Sequence, residues 1–133
     1  MILGIGTDIA NIERIGTVLD KFGSRFIEKN YTAAEREVLE DCGDNARRRA
    51  AKAAKMFAAK EAVVKALGCG FALGVAHMDV EVAHDELGKP LLNLYGQALC
   101  RLTEMAQGKE WRLHLSLSDD FPFAQAVVII EIL

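Results

Sequence analysis

Cysteine is scarce in this sequence and poorly placed for chemistry of its own. Cys42, Cys69 and Cys100 are odd in number, lie far apart and include no C-x-x-C pair. That pattern excludes a zinc ribbon, a dithiol redox motif and a disulfide framework, so reduced thiols are expected. Long apolar runs are missing too. The longest, Ala126 to Ile130, is far short of the roughly 20 residues a membrane-spanning helix needs, and the apolar start at Met1 meets Asp8 too soon for a secretory leader. A cytoplasmic location with no membrane partner is the expectation. No repeat, linker or low-complexity stretch interrupts the chain, and 133 residues suit one core better than two. Residues 1–133 are therefore read as one domain. The 51% hydrophobic and 26% charged composition is that of an ordinary globular protein, and the net charge of −3 argues against nucleic acid as the main partner. The cations are nevertheless clustered. Arg47, Arg48, Arg49, Lys52, Lys55, Lys60 and Lys65 share one segment, which suits it to an anion.

What is present reads clearly as structure. Ile2 to Ile9 has the Ile and Gly content of a short strand that ends near Asp8. Asn11 can cap a following helix whose apolar positions Ile12, Ile15, Val18, Leu19 and Phe22 keep helical spacing. Thr32 and Glu35 form a capping box for a helix reaching about Cys42, and Gly43 and Asp44 break it. From Ala46 to Leu67 there is neither Gly nor Pro and much Ala, so a helix of about six turns is predicted, with Gly68 just past its end. Met78 to Ala83 and Leu91 to Tyr95 read as strands of a hairpin around the turn Asp85 to Lys89. Gln97 to Ala106 returns to helical spacing. Trp111, Leu113, Leu115 and Leu117 then alternate with Arg112, His114, Ser116 and Ser118, a strand with one apolar face. After a turn at Asp119 to Pro122, Ala124 to Leu133 is read as a buried final strand.

Chemistry concentrates on the long helix. Glu61 and Lys65, four apart, share a face with Phe57, which sets a carboxylate beside an ammonium. Such a pair is ordinary on a solvated helix. Here, however, Glu61 lies between Met56-Phe57-Ala58-Ala59 and Ala62-Val63-Val64, surroundings in which a carboxylate needs a cation. Asp8 poses the same question at the end of an apolar strand, where capping the next helix and binding a cation are both open. Magnesium takes only one or two protein carboxylates and fills its other positions with water and phosphate oxygens, so Asp8 with Glu61 would suffice. Gly68 and Gly70 could admit a phosphate to the backbone or simply end the helix.

The string Gly4-Ile5-Gly6-Thr7-Asp8-Ile9, followed by Ile12-Glu13-Arg14-Ile15, resembles the first motif of the holo-acyl-carrier-protein synthases. Phe57-Ala58-Ala59-Lys60-Glu61-Ala62 with Lys65-Ala66-Leu67-Gly68 resembles their F-A-A-K-E-A-x-x-K-A-x-G signature. Gly88-Lys89-Pro90 and His114-Leu115-Ser116-Leu117-Ser118 resemble their G-K-P turn and H-x-S-x-S strand, so the likeness runs from Met1 to about Glu131. It implies an α+β fold, mainly antiparallel sheet packed with a long central helix, that forms a homotrimer with sites between subunits. It implies transfer of the 4′-phosphopantetheine of coenzyme A to a serine of apo acyl carrier protein, a magnesium-dependent step serving fatty acid biosynthesis. In that reading Asp8 and Glu61 hold magnesium and Lys65 lies beside the coenzyme A pyrophosphate. Arg48, Gly68, Gly70, His114 and Ser116 line the coenzyme A pocket, and Arg14 and Arg25 meet the acidic carrier.

Three positions depart from the family pattern. Met56 stands where many members carry an arginine near the coenzyme A phosphates, Asp119 where many carry histidine, and Cys69 where a small residue such as threonine is usual. Without the histidine, the base that takes the serine proton is read as Glu61 or Asp120, acting directly or through a bound water. His114, on the polar face of a strand, suits a structural or ligand contact better than acid–base work. Two rival readings remain: a non-catalytic module of the same fold that binds an acidic partner through Arg14, Arg25 and Lys29, and a magnesium-dependent pyrophosphohydrolase.

Overall fold

The alanine-rich segment forms the helix its composition predicts, and everything else is arranged on it. This helix, α3 (Ala46–Leu67), is capped by the Asn45 side chain, which accepts from the Arg48 backbone N–H at 3.0 Å, and it ends on Gly68 at φ 70°. The computed structural model describes all 133 residues. Before α3 come β1 (Ile2–Asn11), α1 (Ile12–Asn30) and α2 (Ala33–Glu40). After it come a short 3-10 turn (His77–Asp79), β2 (Val80–His84), β3 (Pro90–Leu94), α4 (Gly96–Ala106), β4 (Trp111–Asp120) and β5 (Phe123–Ile132). Helices and antiparallel strands form two sheets, one in the order β1-β5-β4 and one the hairpin β2-β3. The α+β reading holds.

Some boundaries move. Asp8 lies inside β1, not at its end, because the strand runs on to the capping residue Asn11. The first helix continues past Phe22 to Asn30 across a kink at Gly23, whose φ of 46° breaks the helical path. Asp119 and Asp120 belong to β4, so the turn contains only Phe121 and Pro122. The final strand is buried on one face alone: Ala124, Ala126, Val128, Ile130 and Ile132 alternate with more exposed residues.

Two contacts position the functional residues. In the first, β1 lies directly on α3: a Cβ at Gly4 would sit 2.2 Å from the Ala66 carbonyl oxygen, and one at Gly6 1.9 Å from that of Ala62. Glycine is required here for close approach of two backbones. In the second, Lys60 and Glu35 form a fully buried ion pair at 2.7 Å. The Lys60 ammonium also donates to the carbonyl oxygens of His77 (2.9 Å) and Val80, while Glu35 accepts from the N–H groups of Thr32 (2.9 Å) and Val82 (2.8 Å). Burial pushes the Lys60 ammonium below the usual lysine range, and Glu35 opposes that shift. The capping box is thus also the clasp that ties α2, α3 and the hairpin together.

Glu81 supplies a test of the hairpin's attachment. Its carboxylate accepts from Thr32 Oγ1 at 2.6 Å, from the Tyr95 hydroxyl at 3.2 Å and from Asn93 Nδ2 at 3.4 Å. The Thr32 hydrogen bond foremost holds its pKa below the ordinary 4.5. A carboxyl depressed on folding stabilises fully above its unfolded pKa and loses that contribution as pH falls through the folded value. Urea midpoints of wild type and Glu81→Gln are therefore expected to differ at pH 7 and to converge only as pH falls below the ordinary 4.5 and through the depressed folded value.

Candidate functional site

The close approach at Gly4 and Gly6 sets the next inward residue of β1, Asp8, against the C-terminal half of α3. Lys65, the last cation of that helix, reaches across to it. Its ammonium donates to Asp8 Oδ1 at 3.0 Å and to the Thr7 carbonyl at 2.9 Å. Glu61 lies one turn earlier on the same face of α3, and with Asp8, Asn11, Arg14, Ile15 and Phe57 it lines a hollow of 230 Å³. The i,i+4 pairing of Glu61 with Lys65 is not the ion pair that forms. Lys65 is held by Asp8, and Glu61 by His77, whose Nε2 lies 3.2 Å from Glu61 Oε1. Asp8 is not a helix cap either, because Asn11 Oδ1 accepts from the Arg14 backbone N–H in that role. Each carboxylate therefore has one oxygen engaged and one left over. Two hard oxygen donors across a hollow suit a divalent cation that takes few protein ligands, and magnesium fits that donor set.

The remaining predicted residues fall into separate places. Gly68 and Gly70, both exposed, follow the end of α3 with φ of 70° and 58°. Arg14 and Arg25 are exposed on α1, with Arg14 at the rim of the Asp8 hollow. Arg48 lies in the first turn of α3, about 20 Å of helix away from Glu61. It lines a different hollow, of 440 Å³, with Arg47, Lys52, Lys55, Asp119 and Phe121. There Lys55 pairs with Asp119 at 3.1 Å, and the Arg47 guanidinium lies 4.3 Å from the centre of the Phe121 ring. Met56 is buried and lines a 190 Å³ pocket with Lys52, Lys55, His84, Gly88 and Pro90, so two cations share the pocket of the position that lacks one.

His114, Ser116 and Asp120 point the other way. Strand alternation puts Leu113, Leu115, Leu117 and Asp119 on the α3 side of the sheet, and His114, Ser116, Ser118 and Asp120 on the outward side. His114 lies 3.3 Å from Glu131 there. Within this chain they lie on the face of the sheet opposite the Asp8 hollow.

The family model for the 4′-phosphopantetheinyl transferase superfamily matches residues 4–126. The chain belongs to that family. It is 51% identical over 132 residues to a holo-[acyl-carrier-protein] synthase of Paramagnetospirillum magneticum, covering 98% of this chain and 97% of the other. Among solved structures it resembles the holo-[acyl-carrier-protein] synthase of Neisseria meningitidis at 38% identity and a TM-score of 0.78, covering 98% and 99% of the two chains. It also resembles the holo-(acyl-carrier-protein) synthase of Bacillus anthracis in complex with CoA (3′,5′-ADP), at 36% identity and a TM-score of 0.75, covering 98% and 97%. No helix is long and apolar enough to cross a membrane.

Within this superfamily member, sequence reasoning missed His77. The residue lies outside every periodic segment, in the stretch after Gly74, and only the folded chain shows its ring between those of Phe57 and Phe71. A lone histidine there carried no signal of its own.

Proposed function

We propose that this chain transfers the 4′-phosphopantetheine of coenzyme A to a serine of an apo acyl carrier protein, with magnesium held by Asp8 and Glu61 and the site completed between copies of the chain. The observation that carries this reading is the hollow that Asp8 and Glu61 line, with Lys65 paired to Asp8, in a chain that belongs to this transferase superfamily. Transfer forms a bond from the serine oxygen to the pantetheine phosphorus and breaks the pyrophosphate link, so that 3′,5′-adenosine bisphosphate leaves with the bonding electrons. Bound magnesium would supply a Lewis acid that neutralises charge on the pyrophosphate. Lys65, already oriented by Asp8 and the Thr7 carbonyl, adds a fixed positive charge beside the leaving group. The serine proton goes to a carboxylate, Glu61 or Asp120. Asp120→Asn decides between them: a turnover number unchanged by that substitution removes Asp120 from the reaction.

The two residue sets support the assembly. Asp8, Glu61, Lys65, Gly68 and Gly70 cluster at one end of α3, while Arg48, His114, Ser116 and Asp120 lie at its other end or across the sheet. A second copy can join them. The outward sheet face is built for cover: Ile5, Ile9 and Phe123, 63%, 64% and 54% exposed, share it with His114 and Ser116. Copies of this chain, three in a closed ring, would bury that face and set His114 and Ser116 of one subunit beside the Asp8 hollow of the next. Arg14 and Arg25, exposed on α1, are left for the acidic carrier.

Intact mass of an apo acyl carrier protein incubated with this protein, coenzyme A and magnesium tests the reading. A gain of one phosphopantetheine that EDTA abolishes is expected. Carrier bound with no gain in mass would mark a non-catalytic module, and cleavage of coenzyme A without carrier a pyrophosphohydrolase.

A further inference from the structure

His77 lies beside the proposed magnesium ligand, outside every motif of the family, and its position is determined from three sides. Its backbone belongs to the 3-10 turn His77–Asp79, where Asp79 Oδ2 accepts from the Ala76 N–H at 3.0 Å. Its carbonyl oxygen receives the buried Lys60 ammonium at 2.9 Å. Its imidazole is sandwiched, 5.0 Å from the Phe57 ring centre at 16° on one side and 4.6 Å from that of Phe71 at 28° on the other. Little rotational freedom remains. The one polar side-chain contact of the ring is Nε2 to Glu61 Oε1 at 3.2 Å. An ionised carboxylate oxygen only accepts, so Nε2 carries the hydrogen, as a neutral imidazole can provide.

We infer that His77 is a positioning residue for magnesium binding: it occupies one oxygen of Glu61, fixes the carboxylate's rotamer and leaves the other oxygen turned to the hollow shared with Asp8. A glutamate on a half-exposed helix face otherwise samples several rotamers, most of them useless for a shared ligand. Hydrogen-bond partners behind metal-ligating carboxylates orient them in this way, and losing one typically weakens metal binding about 10- to 100-fold. Asp8 has the equivalent partner in Lys65, which takes Oδ1. Both carboxylates are thus aimed from behind by a nitrogen donor.

The inference rests on Glu61 being a metal ligand, and the test separates the two. The ring could matter only as a filler between Phe57 and Phe71. His77→Phe keeps a stacked ring without the donor, whereas His77→Gln keeps a donor of similar reach without the ring. The probe is Mn2+, titrated by electron paramagnetic resonance against the full-length protein with coenzyme A present, with thermal melting in parallel and the Mg2+ dependence of turnover measured separately. His77→Phe is expected to bind Mn2+ about tenfold more weakly and to need correspondingly more Mg2+ for half-maximal rate, with its melting temperature retained. His77→Gln is expected to stay near wild-type Mn2+ affinity while melting lower. Wild-type affinity in His77→Phe, or a loss in His77→Gln equal to that in His77→Phe, would overturn the positioning role. Glu61→Gln is the control. If it binds Mn2+ as wild type does, Glu61 is no ligand and both readings fall; if it loses Mn2+ while His77→Phe does not, only the role of His77 falls.

Discussion

Gly6→Ala is expected to destabilise the protein by about 3 kcal/mol or more and to take the activity with it. The added methyl would stand 1.9 Å from the Ala62 carbonyl oxygen and 2.8 Å from the Ala66 nitrogen, both backbone atoms of α3 that no side-chain rotation can clear. Strand β1 must then lift from the helix. With a total stability of about 5–15 kcal/mol for a typical domain, such a loss is a large fraction of the whole. Asp8 is carried by the same strand two residues on, so its contact with Lys65 loosens in whatever fraction stays folded. Gly16→Ala is the matched control. Its new Cβ would meet Ala50 Cβ at 3.5 Å, an ordinary contact in a helix interior, and a gain of roughly 0.5–1 kcal/mol is expected. Urea unfolding of the two variants checks both signs, and equal midpoints would refute the account of β1 packing.

Glu61→Gln is expected to show the opposite split, with melting unchanged and turnover down by about 10²- to 10³-fold. Its side chain is 27% exposed and touches the fold's polar groups only through His77, which an amide oxygen can satisfy equally well. What the amide removes is negative charge at the hollow. Steady-state kinetics at saturating coenzyme A and carrier, with added magnesium varied, check this. A rate restored to wild type at high magnesium would confine Glu61 to binding and leave Asp120 as the base.

Much of this was legible before folding because it is local. The Asn11 and Thr32 caps, the capping-box Glu35 and the glycine stop at Gly68 are contacts between residues a few positions apart, and each forms where the pattern placed it. The alternation in β4 likewise sorts His114 and Ser116 from the leucines. What failed was distant. The partner of Lys65 is Asp8, 57 positions away, so helical spacing offered Glu61 instead. Lys60, counted among the clustered cations that suit an anion, is a buried structural cation because Glu35 reaches it from another helix. The close contacts of Gly4 and Gly6 needed the facing helix to be seen, and so did the sandwich around His77. Asp119 and Asp120 were given to a turn because turn-forming residues cluster there, whereas pairing with Ala124 and Phe123 holds both in the strand.

The sheet that divides the two residue sets has a genetic consequence. If His114 and Ser116 serve the neighbour's Asp8 hollow, a chain damaged in one set still carries the other intact. Glu61→Gln and a variant altered at His114, each defective alone, would form mixed assemblies in which some interfaces pair two undamaged halves. Activity would then reappear on co-assembly, the signature of intragenic complementation, whereas sites contained within one subunit would stay inactive in every mixture of the two variants.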